Sequence, residues 1–344
     1  MKKSIFFMAG CAVALASCTQ TDVIEEGVQS SAIGFENAVN KESRAFTSVN
    51  DLTKFFVYGY YTKANATNNP VNVFDGETVT LADGAWGYTN TRYWVPDATY
   101  RFYAYSCENG TSTCEAGLDL TGTTIEQRAL SLTGYTLHDH HDLIFATNDN
   151  GIIGKETGNA KVAFTFKHIL SKINVVFDSE FAPGYDVVIS NVRFENIYDK
   201  GNYDPYDEWT SESRTSTNEN NPTKVELALV SGKDVASAAD ANVEGSVELK
   251  AETVSGYVIP HEYGESLVRL VFDIDVKQGD DTMFSRTLTG SWKPNWGLGK
   301  AYTYNVTISG TAADLEPIVF ETSQSIDGWG EGDTSEVKMD FSAN

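Results

Sequence analysis

From about residue 30 onward, apolar and polar positions alternate in short runs broken by Gly, Asn, Asp and Pro. That texture predicts antiparallel β-sandwiches rather than helices. The first predicted strand is Ala32-Ile33-Gly34-Phe35-Glu36. Leu52–Tyr61 (LTKFFVYGYY) is almost continuously apolar, which predicts a strand buried on both faces. Ala85–Tyr88, Tyr93-Trp94 and Tyr100–Tyr105 form an aromatic series, followed by Leu143–Ala146 and by Lys161–Phe166, which runs through His168 and Leu170 into Lys172–Phe177.

Hydrophobicity drops over Asp178–Gly184, which contains Pro183 and Gly184, and this predicts a domain boundary near residue 180. The β texture resumes at Val187–Phe194, Lys224–Val230, Ser246–Leu249, Gly256–Pro260, Leu267–Val276, Phe284–Leu288 and Tyr302–Ile308. Between them Tyr198–Asn221 reads as a long polar loop. At the C-terminus Val337, Met339, Phe341 and Ala343 alternate with Glu336, Lys338, Asp340 and Ser342, a period-two strand apolar on one face. Ile318-Val319-Phe320 is a companion strand.

The first residues set the compartment. Lys2 and Lys3 precede the apolar run Ile5–Ala16, too short to span a bilayer, so residues 1–17 read as a secretory signal peptide. The run ends in Leu15-Ala16-Ser17-Cys18, the pattern of a bacterial lipobox, which predicts cleavage before Cys18 and acylation of that residue. An ordinary signal peptide with an incidental cysteine is the other reading. Cys11 leaves with the signal. Cys107 and Cys114, separated by a turn-forming stretch, predict a small-loop disulfide in an exported protein, worth about 2–3 kcal/mol.

The chain has 344 residues, enough for two domains, and a formal net charge of -23. An anionic surface repels phosphate backbones, so no nucleic-acid partner is expected. The sequence contains no P-loop, dinucleotide fingerprint, nucleophile elbow or His-Glu-x-x-His. An enzyme is not expected, nor any cofactor. Two clusters could hold an ion. His138-Asp139-His140-His141-Asp142 is a metal site or a solvated turn feeding the Leu143 strand, and Asp199, Asp204, Asp207 and Glu208 offer oxygen ligands without the spacing of a dedicated calcium loop. His168, flanked by apolar strand residues, reads as a buried structural histidine.

Several segments together resemble the fimbrillin-like lipoproteins of Bacteroides-type bacteria, subunits of the type V pilus. They are the lipobox, the Ile33-x-Phe35 strand followed by Ser43-Arg44-Ala45, the aromatic Leu52–Tyr60 strand, and Tyr93-Trp94 ahead of Tyr100-x-Phe102-x-Ala104-Tyr105. Phe166–Lys172, Gly256-Tyr257-Val258-Ile259-Pro260, Lys300-x-Tyr302-x-Tyr304-x-Val306 and Trp329-Gly330 complete the series. The resemblance implies an all-β chain of two tandem transthyretin-like antiparallel β-sandwich domains. Its divisions are a signal peptide (1–17), a propeptide-like segment with a removable first strand (18–44), an N-terminal sandwich (45–180) and a C-terminal sandwich with a donor strand (181–344).

The resemblance also implies how such a chain assembles. A protease cuts after Arg44, leaving Ala45 first, and removes the Ile33/Phe35 strand. A C-terminal strand of the next subunit, here Val337, Met339, Phe341 and Ala343, fills the groove. The implied partners are other pilin subunits in a head-to-tail polymer, a lipid anchor to the outer membrane, and a host or bacterial surface ligand in adhesion. Tyrosine- and tryptophan-rich segments leave an alternative open: an uncleaved, monomeric surface lipoprotein binding glycan or protein through exposed Trp209, Trp292 and Trp296.

Overall fold

The computed structural model describes residues 31–39, 52–63, 69–107, 117–121, 123–126, 128–137, 142–155, 158–179, 181, 184–198, 200–209, 227–228, 230–231, 252–262, 267–311, 314–327 and 340–343. Among these residues every regular element is a strand. The strands are β1 (Phe35–Val39), β2 (Lys54–Thr62), β3 (Val71–Ala82), β4 (Ala85–Gly87), β5 (Thr99–Cys107), β6 (Gly117–Thr121), β7 (Ala129–Thr136), β8 (Leu143–Ile153) and β9 (Val162–His168). There follow β10 (Ser171–Ser179), β11 (Asp186–Glu195), β12 (Lys200–Asp204), β13 (Glu208–Trp209), β14 (Leu227–Ala228), β15 (Val230–Ser231), β16 (Glu252–Val258) and β17 (His261–Glu262). The last are β18 (Val268–Gln278), β19 (Asp281–Trp292), β20 (Asn295–Trp296), β21 (Ala301–Thr311), β22 (Asp314–Asp327) and β23 (Asp340–Ala343).

A seven-stranded sheet in the order β1-β9-β8-β5-β2-β3-β4 dominates the first half, with a four-stranded sheet β13-β12-β7-β6 beside it. The second half holds two five-stranded sheets, β15-β16-β10-β21-β22 and β14-β11-β18-β19-β23. All described ladders are antiparallel except β1–β9 and β10–β21, which are parallel. Parallel neighbours cannot be joined by a hairpin, so both pairs unite segments far apart in the chain.

The sequence pattern explains the layering. β9 and β10 bury alternate residues only, as a sheet covered on one face requires. β2 and β5 are buried on both faces, as their nearly continuous apolar runs predict. Phe55, Val57, Tyr100, Phe102 and Ala104 enter one core, while Tyr58, Tyr60, Tyr103 and Tyr105 enter another. A third core lies between the second-half sheets and includes Phe177, Phe194, Phe272, Trp292 and Tyr304.

The passage from first half to second is tight. Only Ile169 and Leu170 separate β9 from β10, and Gly299 donates its amide to the Leu170 carbonyl at 3.0 Å. Gly299 has φ +61, and a Cβ there would meet the His168 carbonyl oxygen at 2.9 Å, so this approach requires glycine. β12 and β13, although beyond residue 180, pair with each other and, through β12, with β7 of the first half. The segment read as a polar loop over Tyr198–Asn221 thus begins as a hairpin.

Candidate functional site

Sheet edges decide what a β protein can add or lose. β1 is the outer strand of the seven-stranded sheet, in register with β9 from Phe35↔Val162 to Val39↔Phe166. The strand starts later than its hydrophobic pattern predicts, because Ala32 and Ile33 serve another partner. Ala32 bridges Tyr93, the Ile33 amide donates to the Arg92 carbonyl at 2.8 Å, and the Trp94 amide donates to the Ser31 carbonyl at 3.1 Å. On the other side, the Val162 amide donates to the Gly34 carbonyl at 2.8 Å. The Tyr88 hydroxyl donates to the Ile33 carbonyl at 2.8 Å. Residues 31–39 therefore form a wedge, bonded to β9 along one side and to the Tyr88–Trp94 segment along the other.

What the wedge covers is an aromatic core. Ile33 and Phe35 are each 1% exposed. The Phe35 ring lies 5.3 Å from Phe74, 5.6 Å from Tyr88 and 6.0 Å from Phe164, and also meets Phe55 and Phe102. Most of these contacts are edge-to-face, the geometry favoured by the ring quadrupole. Burial pushes the Tyr88 hydroxyl above its ordinary pKa, so it stays a donor to Ile33. Taking the wedge away would strip β9 of a neighbour and open a groove floored by Phe74, Tyr88, Phe102 and Phe164.

At the other terminus, β23 occupies the outer position of its sheet beside β19, with Phe341 opposite Gly290 and Ala343 opposite Leu288. β22, which contains Ile318-Val319-Phe320, is the outer strand of the other second-half sheet, against β21. Both C-terminal strands are thus held through one ladder each. Cys18, Arg44, Ala45, Val337 and Met339 lie outside the described residues.

The remaining predicted residues separate clearly. Cys107 ends β5 as a buried free thiol, and its expected partner Cys114 lies outside the described residues. His168 is buried, as predicted, and its Nδ1 lies 2.6 Å from Oδ2 of Asp142. That takes Asp142 out of the histidine-rich turn, whose residues 138–141 lie outside the described ones. In the acidic stretch, Oδ1 of Asp204 accepts the Tyr206 amide at 2.8 Å and the Asp207 amide at 3.3 Å, while Oδ2 accepts the Ser131 hydroxyl at 3.0 Å. Asp204 closes a turn; Asp199 is outside the described residues. No group of three metal-ligating side chains occurs among the described residues.

A family model described as fimbrillin-like matches residues 43–329. The chain belongs to the fimbrillin-like family. It is 22% identical to the fimbrium subunit Fim1C of Phocaeicola vulgatus, over 99% of this chain and the whole of that protein. Among solved structures it is similar to a candidate cell adhesion protein of Bacteroides ovatus, at 16% identity, 88% of this chain, 99% of that one and a TM-score of 0.48. It is also similar to the fimbrial anchor protein Mfa2 of Porphyromonas gingivalis, at 12% identity, 87% of this chain, 97% of that one and a TM-score of 0.35. The family is one of subunits of cell-surface fimbriae.

One expectation fails for this fimbrillin-like chain. Trp209, Trp292 and Trp296 are not exposed: all three are buried, Trp209 donating its indole N–H to the Ile169 carbonyl and Trp296 to the Tyr304 hydroxyl at 2.9 Å. Their polar sequence neighbours face outward while the rings fill the cores, which removes the support for sugar stacking on them. The reading of the sequence also passed over Tyr206. Its hydroxyl joins Tyr103 at 3.0 Å and Oδ2 of Asp149 at 2.9 Å, tying the β12–β13 hairpin to the seven-stranded sheet. A tyrosine between Asp204-Pro205 and Asp207-Glu208 carries no periodic signal.

Proposed function

We propose that this chain is a structural fimbrial subunit that assembles by donor-strand exchange after cleavage at Arg44, with Ala45 as the new first residue. The observation that carries the reading is the position of Phe35: an outermost strand, bound at its margins, plugs the centre of an aromatic core. An edge strand can leave without unpicking interior ladders, and the apolar groove left behind selects a strand with apolar residues at every second position. The C-terminal series Val337, Met339, Phe341, Ala343 has that period. Similarity to a fimbrium subunit over the full length supports the same reading.

In this account the full-length chain is the precursor. Its signal ends at Ser17, and Cys18 receives the acyl anchor that holds it on the outer membrane until cleavage. β1 keeps the groove shut, and β23 rests on its own sheet. The mature unit consists of two tandem transthyretin-like sandwiches, the chain crossing between them at Ile169-Leu170 rather than near residue 180 and returning β12 and β13 to the first, and the assembled filament serves adhesion. The N-terminus of protein sheared from cells, read by mass spectrometry, tests the cleavage. A start at Ala45, with detergent-resistant ladders lost in Arg44→Ala and in a truncation before Glu336, is the expected result. An acylated start at Cys18 as the sole form, or ladders unchanged in both variants, would overturn it.

A further inference from the structure

Three exposed large apolar side chains of the first half gather at one end of its sheet, while Tyr206, on the β12–β13 hairpin, stands elsewhere. Val71 is 48% exposed, Tyr93 54% and Ile153 49%. The ladders explain why: Val71 pairs with Tyr61 and Tyr61 with Tyr100, while Ile153 pairs with Thr99 and Thr99 with Thr62. Tyr93 joins this end through its bridge to Ala32, beside the start of β1. Single exposed apolar residues are ordinary, but three at one end of one sheet form a patch. Among the described residues, the charges at this end include Lys63, Arg92, Arg128, Lys155 and Lys161, with Glu36 and Asp97. A basic rim is unusual on a chain of net charge -23.

β9 runs from this end to the junction, and β10 continues from the junction to Ser179. Around the far end of the second-half sheets stand Asp178, Asp186, Asp280 and Asp281, with Lys277. Met283, 43% exposed, sits just inside the β18–β19 turn there. One end is therefore apolar with a basic rim, and the other acidic around an exposed methionine.

We propose that the Val71/Tyr93/Ile153 end docks on the Asp186/Asp280/Asp281 end of a second copy of this chain, the contact that aligns two subunits before a strand passes between them. The proposal rests on the head-to-tail reading above and adds the surface that sets subunit order. Opposite charges at the two ends steer encounter and reject like-with-like pairing, and the apolar centre supplies contact area. A heterologous contact of this kind repeats without closing.

The test uses full-length, uncleaved chains, which cannot exchange strands, so it reads docking alone. Ile153→Cys and Met283→Cys variants carrying tags of different size are mixed at low salt with a short thiol cross-linker. The expected result is a mixed cross-link several-fold above either like pair, falling about tenfold towards 1 M salt, where the Debye length is about 3 Å. Lys155→Glu with Lys161→Glu should remove the mixed product, and Asp280→Lys with Asp281→Lys on the other copy should restore it. Equal yields of mixed and like products, or indifference to salt and charge reversal, would overturn the proposal. A persistent mixed cross-link alongside absent ladders after cleavage would instead sink strand exchange and leave the docking contact standing.

Discussion

Nδ1 of His168 and Oδ2 of Asp142 lie 2.6 Å apart where β9 ends and β8 begins, and both side chains are nearly shut off from solvent. The strands pair here as well: Ile144 stands opposite His168, and the Ile169 amide donates to the Leu143 carbonyl at 3.0 Å. A buried carboxylate that loses its partner keeps its desolvation cost, so breaking such a pair costs about 3–5 kcal/mol, whereas an apolar replacement of both is far milder. His168→Ala should therefore lower unfolding stability by about 3 kcal/mol or more. Asp142→Val with His168→Leu together should cost less than the two single losses added. Denaturant midpoints for the two single variants and the double one check this, and simple additivity would dismiss the pair as an energetic unit.

Phe35→Ala tests the wedge in the same currency. Removing a fully buried phenylalanine costs about 3–5 kcal/mol, and here the lost ring touches five others. Because β1 is an outer strand, the loss should fall first on the wedge. Amide exchange in β1 and β9 should accelerate strongly, while the second-half strands β18 and β19 keep their protection. Uniform acceleration throughout the chain would show that β1 does not open on its own.

These two sites illustrate what the sequence makes legible. β2, β5, β9 and β10 announce themselves through unbroken or strictly alternating apolar runs, and His168 is recognisable as structural from its apolar flanks. Its partner is not, because Asp142 sits beside four residues that suggest a metal turn and the pairing depends on β8 and β9 lying side by side. β3 is hidden for a local reason: Asp75-Gly76-Glu77 interrupts its pattern, and its ladder with β2 shifts register twice. The β1 strand is readable, but its role as a wedge depends on Arg92–Trp94, which only the fold brings beside it. The buried tryptophans show the reverse error, since Lys293, Pro294 and Asn295 around Trp292 and Trp296 suggest a surface that the rings do not share.

The acid limb of stability should carry a contribution from Asp273. Its carboxylate accepts hydrogen bonds from Asn191 Nδ2 at 2.6 Å and Thr287 Oγ1 at 2.6 Å, and the Asn191 bond, then the Thr287 bond, holds its pKa below the ordinary 3.8. A depressed carboxylate stabilises the fold fully above its unfolded pKa, and that stabilisation is lost as pH falls through the folded value. Asp273→Asn should therefore flatten the decline of stability below about pH 4 and leave the slope near neutrality alone. An unchanged acid limb would show that the two bonds do not favour the charged form.

Gly154 marks a place with no room. Its amide donates to the Ala98 carbonyl at 2.8 Å and its carbonyl accepts from the Asp97 amide at 2.9 Å, pinning the end of β8 to the turn before β5. A Cβ on Gly154 would lie 2.1 Å from the Val95 carbonyl oxygen, a backbone atom that cannot swing aside. Overpacking costs about 1–3 kcal/mol where side chains can adjust, so Gly154→Ala should reach or exceed the upper figure. Gly87→Ala is a useful comparison, because its φ lies outside the left-handed region and a Cβ there meets nothing within 4 Å. Comparable loss at both positions would show that the clash is relieved by a backbone shift.

The alkaline limb belongs to the tyrosines. Burial pushes Tyr58, Tyr60 and Tyr100 up from 10.0 to about 12, with desolvation the largest cause in each, and raises Tyr103 as well. A group whose folded pKa exceeds its unfolded value contributes stability that is complete below the unfolded pKa and lost as pH rises through the folded one. Stability should thus hold to about pH 10 and then fall steeply, because several rings in two adjoining cores must ionise together. Tyr60 and Tyr103 share the Arg128 carbonyl as acceptor, and Arg128 lies over the Tyr60 ring, so ionisation of either hydroxyl removes a donor from a buried site. Phenolate absorbance followed alongside circular dichroism decides the matter. The buried set should ionise together with the loss of β signal. Full ionisation of every tyrosine while the sheets remain intact would mean that water already reaches these hydroxyls.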